Sequence, residues 1–152
     1  MAFTVVGEVR VDPCNPAAGS VDKSATSSVD GLVDAFSSWG AFPVKKVNDV
    51  TVGGHAGKRV EITRADTTTC EGTLFDTPSG YDFGPIFSTA EPSVNQFTLL
   101  NVEGSVLVIW TTDFPGTTRF EVDGGASPDP QAHVDDQVQL RGIVDSIVVT
   151  PH

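Results

Sequence analysis

The hydrophobic pattern of this 152-residue chain changes period several times, and each change marks an element. Phe3, Val5, Gly7, Val9 and Val11 alternate with Thr4, Glu8 and Arg10, the period of a half-buried strand. Asp12-Pro13-Cys14-Asn15-Pro16 ends it, since neither proline can donate to a ladder. The small, polar residues 17–27 read as loop. Val29, Leu32, Val33 and Phe36 then recur at i, i+3, i+4 and i+7, the apolar stripe of a helix. Ser27 or Ser28 can cap that helix, Asp30 complements its dipole, and Gly40 is placed to stop it.

Beyond the helix the alternation returns. Val44 to Val52 and Lys58 to Arg64 read as two strands joined by Gly53-Gly54-His55-Ala56-Gly57, with Val60 and Ile62 inward and Arg59, Glu61 and Thr63 outward. Phe97 to Val102 and Ser105 to Thr111 flank Glu103-Gly104, a connection suited to a tight hairpin. Val106-Leu107-Val108-Ile109-Trp110 is apolar on both faces, which predicts a strand covered on both sides. Ser127-Pro128 opens a second helix, with Val134, Val138, Leu140, Ile143 and Val144 as its apolar side. Ile147 and Val149 suggest a short last strand before Pro151. The order β-α-β-β-loop-β-β-α-β predicts a single α+β domain over 1–152. Its sheet is mainly antiparallel, of about six strands, with two helices packed on it.

Residues 71–94 do not fit either period. Phe75, Tyr81, Phe83 and Phe87 are embedded there among frequent prolines and glycines. A loop so rich in rings must cover one end of the core or, together with Phe114, wall a binding groove.

Charge narrows the partners. Nine Lys and Arg against twenty Asp and Glu leave a net charge of −11, which repels nucleic acid and anionic membrane surfaces alike. No apolar run approaches the roughly 20 residues of a spanning helix, so no direct membrane insertion by this segment is expected. The bases are concentrated: Lys45, Lys46, Lys58, Arg59 and Arg64 are five of the nine. They form either an outward sheet face with Asp49 and Glu61 as cross-strand partners, or a docking face for an acidic partner.

Catalytic signatures are sparse. The chain has no nucleophile elbow, phosphate loop, dinucleotide fingerprint, zincin motif or EF-hand spacing. Of three histidines, His152 is terminal, His133 lies near a helix start and His55 sits in a glycine turn, none beside a triad. Asp123, Asp129, Asp135 and Asp136 crowd the second helix entrance, where they hold a hard cation or simply complement the dipole; Asp76 and Asp82 pose the same alternative. No cofactor and no metal site are expected. Cys14 and Cys70 are the only cysteines, either one disulfide or two buried thiols, and the acidic, lysine-poor, turn-rich composition favours the disulfide.

Several patterns together carry a resemblance. They are Asp12-Pro13-Cys14, Val50-Thr51-Val52-Gly53-Gly54, Gly57-Lys58-Arg59-Val60-Glu61 and Cys70-Glu71-Gly72. Asn101-Val102-Glu103-Gly104, Phe114-Pro115-Gly116 and Ile143-Val144-Asp145-Ser146-Ile147 complete the set. The chain resembles a group of actinobacterial extracytoplasmic domains, and its element order is similar to the PsbP-like fold shared with Lpq-type mycobacterial lipoproteins. The resemblance implies that the two cysteines pair and that an anchor precedes the domain. It also implies that the chain binds a partner instead of catalysing. The expected function is thus a non-catalytic extracytoplasmic binding or sensor domain of unknown ligand. The alternatives are a small hydrolase or metal-assisted enzyme built on His55 or the acidic cluster, and a structural spacer.

Overall fold

A computed structural model of the chain describes residues 2–63, 74–76, 82–83, 94–113, 119–120, 126–127, 138–139 and 141–148. Its elements are β1 (Ala2–Val5), a 3-10 turn (Pro16–Ala18), α1 (Val29–Ser37), β2 (Val44–Val52) and β3 (His55–Thr63). There follow β4 (Phe75–Asp76), β5 (Asp82–Phe83), β6 (Val94–Val102), β7 (Ser105–Asp113), β8 (Arg119–Phe120) and β9 (Ala126–Ser127). Residues 138–139 and 141–145 are helical and form a second, C-terminal helix. The chain is therefore α+β, with a five-stranded sheet in the order β1-β7-β6-β3-β2, antiparallel at every step.

Two hairpins make four of those strands. Gly53 and Gly54 have φ of 57° and 83°, so Val52 pairs directly with His55 across a two-residue turn. Both central residues of such a turn need positive φ, which glycine adopts without a steric penalty. The five-residue connection expected from sequence is thus shorter, and β3 begins at His55. The β6–β7 hairpin closes as expected through Glu103 (φ 49°) and Gly104 (φ 83°).

Alternation along these strands divides the side chains between two faces. Val60, Ile62, Phe97, Leu99, Val106 and Val108 pack with Leu32, Ala35, Phe36 and Trp39 into the larger core beneath α1. Val52, Leu100 and Ile109 form a smaller cluster on the opposite face, closed by Val144 of the C-terminal helix. The apolar run in β7 is covered on both sides, as its sequence requires. Ile147 and Val148 lie outside the sheet, and Val148 is 80% exposed, so the expected last strand is absent at those two positions.

α1 starts where its cap predicts: the Ser28 hydroxyl accepts the Gly31 N–H at 3.1 Å. It ends before Gly40, which keeps a negative φ. The Ser37 and Ser38 hydroxyls instead donate to the carbonyls of Val33 and Ala35, each at 2.7 Å. The chain entering α1 passes very close to it. A methyl group at Gly31 would lie 1.7 Å from the Ala25 carbonyl oxygen. Alanine normally gains about 1 kcal/mol over glycine inside a helix. Gly31→Ala is expected to reverse that sign and cost about 1–3 kcal/mol by overpacking, measured by urea unfolding; a stabilised variant would contradict the close approach.

The first strand is shorter than its alternation suggests. β1 pairs with β7 only through Val5↔Leu107, after which the chain leaves the sheet. Val9 then bridges to Phe75 and Arg10 to Ser20. The break shifts the phase: Val6 packs on the core and Val9 is fully buried, whereas Val5 and Val11 are exposed.

Candidate functional site

Register gives the face opposite α1 a polar band. Lys46 lies opposite Glu61 and Asn48 opposite Arg59, while Gln96 and Thr98 of β6 flank Glu61 and Arg59 on the other side. Lys46, Asn48, Arg59, Glu61, Gln96 and Arg141 line a cleft of about 180 Å³ there. The C-terminal helix forms its rim. Arg141, Val144 and Asp145 stand at i, i+3 and i+4, so one stripe puts Val144 into the apolar cluster and two charges beside it. Arg59 donates to Asp145 Oδ1 from Nη2 at 2.7 Å and to Thr98 Oγ1 from Nε at 3.3 Å, and only 16% of its side chain is exposed. Lys46 and Arg141 are exposed at the mouth. A second hollow, of about 240 Å³, lies at the other edge of the sheet among Val5, Val6, Lys23, Thr26 and Val106.

The five clustered bases do not share a surface. Lys58 and Arg59 are consecutive in β3 and project to opposite faces. Lys58 Nζ reaches Asp49 at 2.9 Å and Asp30 of α1 at 3.6 Å. The hydrogen bond and charge of Asp49, aided by Asp30, hold the Lys58 ammonium above its ordinary pKa. Its contribution to stability is thus complete at neutral pH and fades only as pH rises through that elevated value. Lys45 is the extra residue where the β2–β3 register shifts between Val44 and Lys46, and it is exposed. Arg64 lies outside the described residues. Of the four described bases, Lys46 and Arg59 meet in the cleft.

The aromatic segment divides similarly. Phe75 is fully buried, with ring centroids 6.4 Å from Phe36 and 6.2 Å from Phe97, so this ring belongs to the core and is unavailable to a groove. Phe83 is the register partner of Phe75. Tyr81, Phe87 and Phe114 lie outside the described residues. Trp39, two residues beyond α1, is a packing residue, stacked on Phe36 at 4.7 Å, and its indole N–H donates to the Arg10 carbonyl at 2.9 Å.

His55 Nδ1 donates to the Asn101 carbonyl at 3.2 Å, tying one hairpin to the next. Asp76 and Asp82 are register partners in the β4–β5 ribbon. Asp123, Asp129, Asp135 and Asp136 lie outside the described residues, among which no three His, Cys, Asp or Glu side chains gather as a metal site. The hydroxyl and backbone N–H of Ser24 both bond the Asp22 carboxylate and hold its pKa below the usual carboxylate range. Cys14 is half-buried against the larger core and is not a free thiol, while Cys70 lies outside the described residues.

Sequence alternation identified Arg59 and Glu61 as outward residues of one strand. Gln96 and Arg141 were missed, because Gln96 precedes the apolar run of β6 and Arg141 needs the helix docked. The i, i+4 spacing of Arg141 and Asp145 was the available signal. No helix among the described residues is long and apolar enough to cross a membrane. The chain matches no family model, no curated protein and no solved structure.

Proposed function

We propose that this chain is a non-catalytic extracytoplasmic binding or sensor domain, carried by a membrane-anchored or lipid-anchored protein. The finer fold assignment in this reading is PsbP-like, and Cys14 pairs with Cys70. The observation that supports it is the polar cleft between sheet and C-terminal helix. Its lining is guanidinium, ammonium, amide and carboxylate, held on strands whose register is fixed by a core on the other side. Such a lining suits recognition of a small polar ligand: groups fixed on rigid elements lose little freedom on binding.

The reading is tested by amide NMR of the whole chain against amino acids, hydroxy acids, inorganic phosphate, neutral sugars and quaternary ammonium salts. At least one class is expected to shift the amides of Lys46, Asn48, Arg59, Glu61 and Gln96 and to be recovered chemically unchanged. Turnover of the bound compound would make the chain an enzyme. Shifts confined to the α1 face would remove the cleft as the site.

A further inference from the structure

Resting on that reading, we infer that the cleft takes a small carboxylic acid carrying a hydroxyl or amino group. The molecule as a whole bears a net charge of −11, yet three bases, Lys46, Arg59 and Arg141, converge on this one cleft. Asp145 already neutralises Arg59. Lys46 and Arg141 form no ion pair among the described residues, although Glu61 is the register partner of Lys46. With Asp145 counted, the cleft keeps one positive charge in surplus, and the bases at its mouth are uncommitted.

The four charged lining groups each have a role in binding such a ligand. The Arg141 fork binds a carboxylate through two parallel hydrogen bonds, and Lys46 adds a point charge. Arg59 is held by Asp145 and Thr98 through two of the five N–H groups of a guanidinium, which leaves donors over. Glu61, as a carboxylate, only accepts. It repels a bare anion and favours one that brings a hydroxyl or ammonium hydrogen with it. Size supports the same class. About 180 Å³ lies below the 300–1,000 Å³ typical of drug-sized ligands and suits a molecule of a few carbons.

The test uses malate, and succinate as its counterpart lacking the hydroxyl, titrated into the whole chain at constant ionic strength with chloride as balance. Malate is expected to shift the cleft amides and to bind more tightly than succinate. Lys46→Ala combined with Arg141→Ala should weaken malate about tenfold or more, the loss expected of charge-assisted bonds. Glu61→Gln should narrow the preference for malate over succinate. Both bases are exposed, so the double variant should melt with the wild type. If it does not, the wild-type shift map and the malate–succinate ratio still decide the matter. Equal binding by the double variant, or a malate response no larger than that to chloride, would overturn the inference. Cleft binding restricted to a neutral sugar or a quaternary ammonium ion would overturn it too, yet leave the binding-domain reading standing. A cleft that takes none of these compounds would defeat both.

Discussion

Phe36→Ala is expected to lower the free energy of unfolding by about 3–5 kcal/mol, the range for removing a buried ring that its surroundings cannot replace. Phe36 has no exposed surface and occupies the middle of an aromatic group. Its ring lies 4.7 Å from Trp39, 5.6 Å from Phe97 and 6.4 Å from Phe75. These partners come from three separate parts of the chain: the residues just after α1, β6 and the β4 segment. None can move into the vacated space without leaving its own element. Truncation thus removes transfer energy and ring contacts and leaves a cavity. Urea unfolding followed by far-UV circular dichroism measures the loss, and near-UV dichroism should lose intensity because Trp39 loses its stacking partner. Phe36→Leu keeps most of the volume and should cost much less than Phe36→Ala. If both variants unfold within about 1 kcal/mol of wild type, the ring is not the centre of this core.

Reducing the chain, or replacing Cys14 with Ser, is expected to cost about 4 kcal/mol, from the entropy of closing a loop between positions 14 and 70 in the unfolded state. This follows from the proposed Cys14–Cys70 pairing. Cys14 sits at the end of the N-terminal segment, one residue after a buried Pro13, and its N–H donates to the Asp12 carboxylate at 2.9 Å. Val9 and Arg10 just before it are fixed to the β4 segment, Val9 by a bridge to Phe75 and Arg10 by an N–H bond to the Leu74 carbonyl at 3.0 Å. A covalent link to position 70 would fasten the same two stretches a second time. Denatured, unreduced protein should show no reactive thiol, and urea curves with and without reductant should separate by the stated amount. Two titratable thiols in oxidatively handled protein would remove the pairing, and with it the argument for an oxidising compartment.

How far the sequence carried the reading depended on whether a local pattern had a nonlocal competitor. α1 was legible because Ser28, Leu32 and Phe36 act within one element, and cap and stripe agree. The β6–β7 hairpin was legible for the same reason. The first strand was not, since Val5, Val9 and Val11 alternate correctly while the chain departs to meet β4 instead of continuing along β7. Asn95 and Gln96 look like loop residues yet are buried in β6. The Asn95 Oδ1 accepts from the Trp110 indole N–H and the Thr112 hydroxyl, each at 2.9 Å, both on the neighbouring strand, while its buried Nδ2 has no partner among the described residues. The clustered bases were legible in part, since Asp49 and Glu61 are cross-strand partners of Lys58 and Lys46 as one of the two readings expects. Proximity in sequence suggested one patch, whereas in a strand consecutive residues belong to opposite surfaces. The cleft needed β2, β3, β6 and the C-terminal helix together, and only the strand portion was visible from alternation.

That adjacency of Lys58 and Arg59 also bears on how β3 finds its place. The two residues anchor a helix on either side of the sheet, one through Asp30 and the other through Asp145. Sliding β3 by a single residue would move each to the other face and leave only one acid opposite a base. Arg59 would take the place of Lys58 and Val60 that of Arg59, or Lys58 the place of Arg59 and Gly57 that of Lys58. Electrostatic attraction therefore opposes that error by one ion pair at most, a small term at a sheet surface. What forbids it is the next step along the strand: the slip would turn Val60 and Ile62 out of the core beneath α1 and drive the Glu61 carboxylate into it. The charges attach the layers, while two aliphatic side chains and one acid decide which register they are attached in.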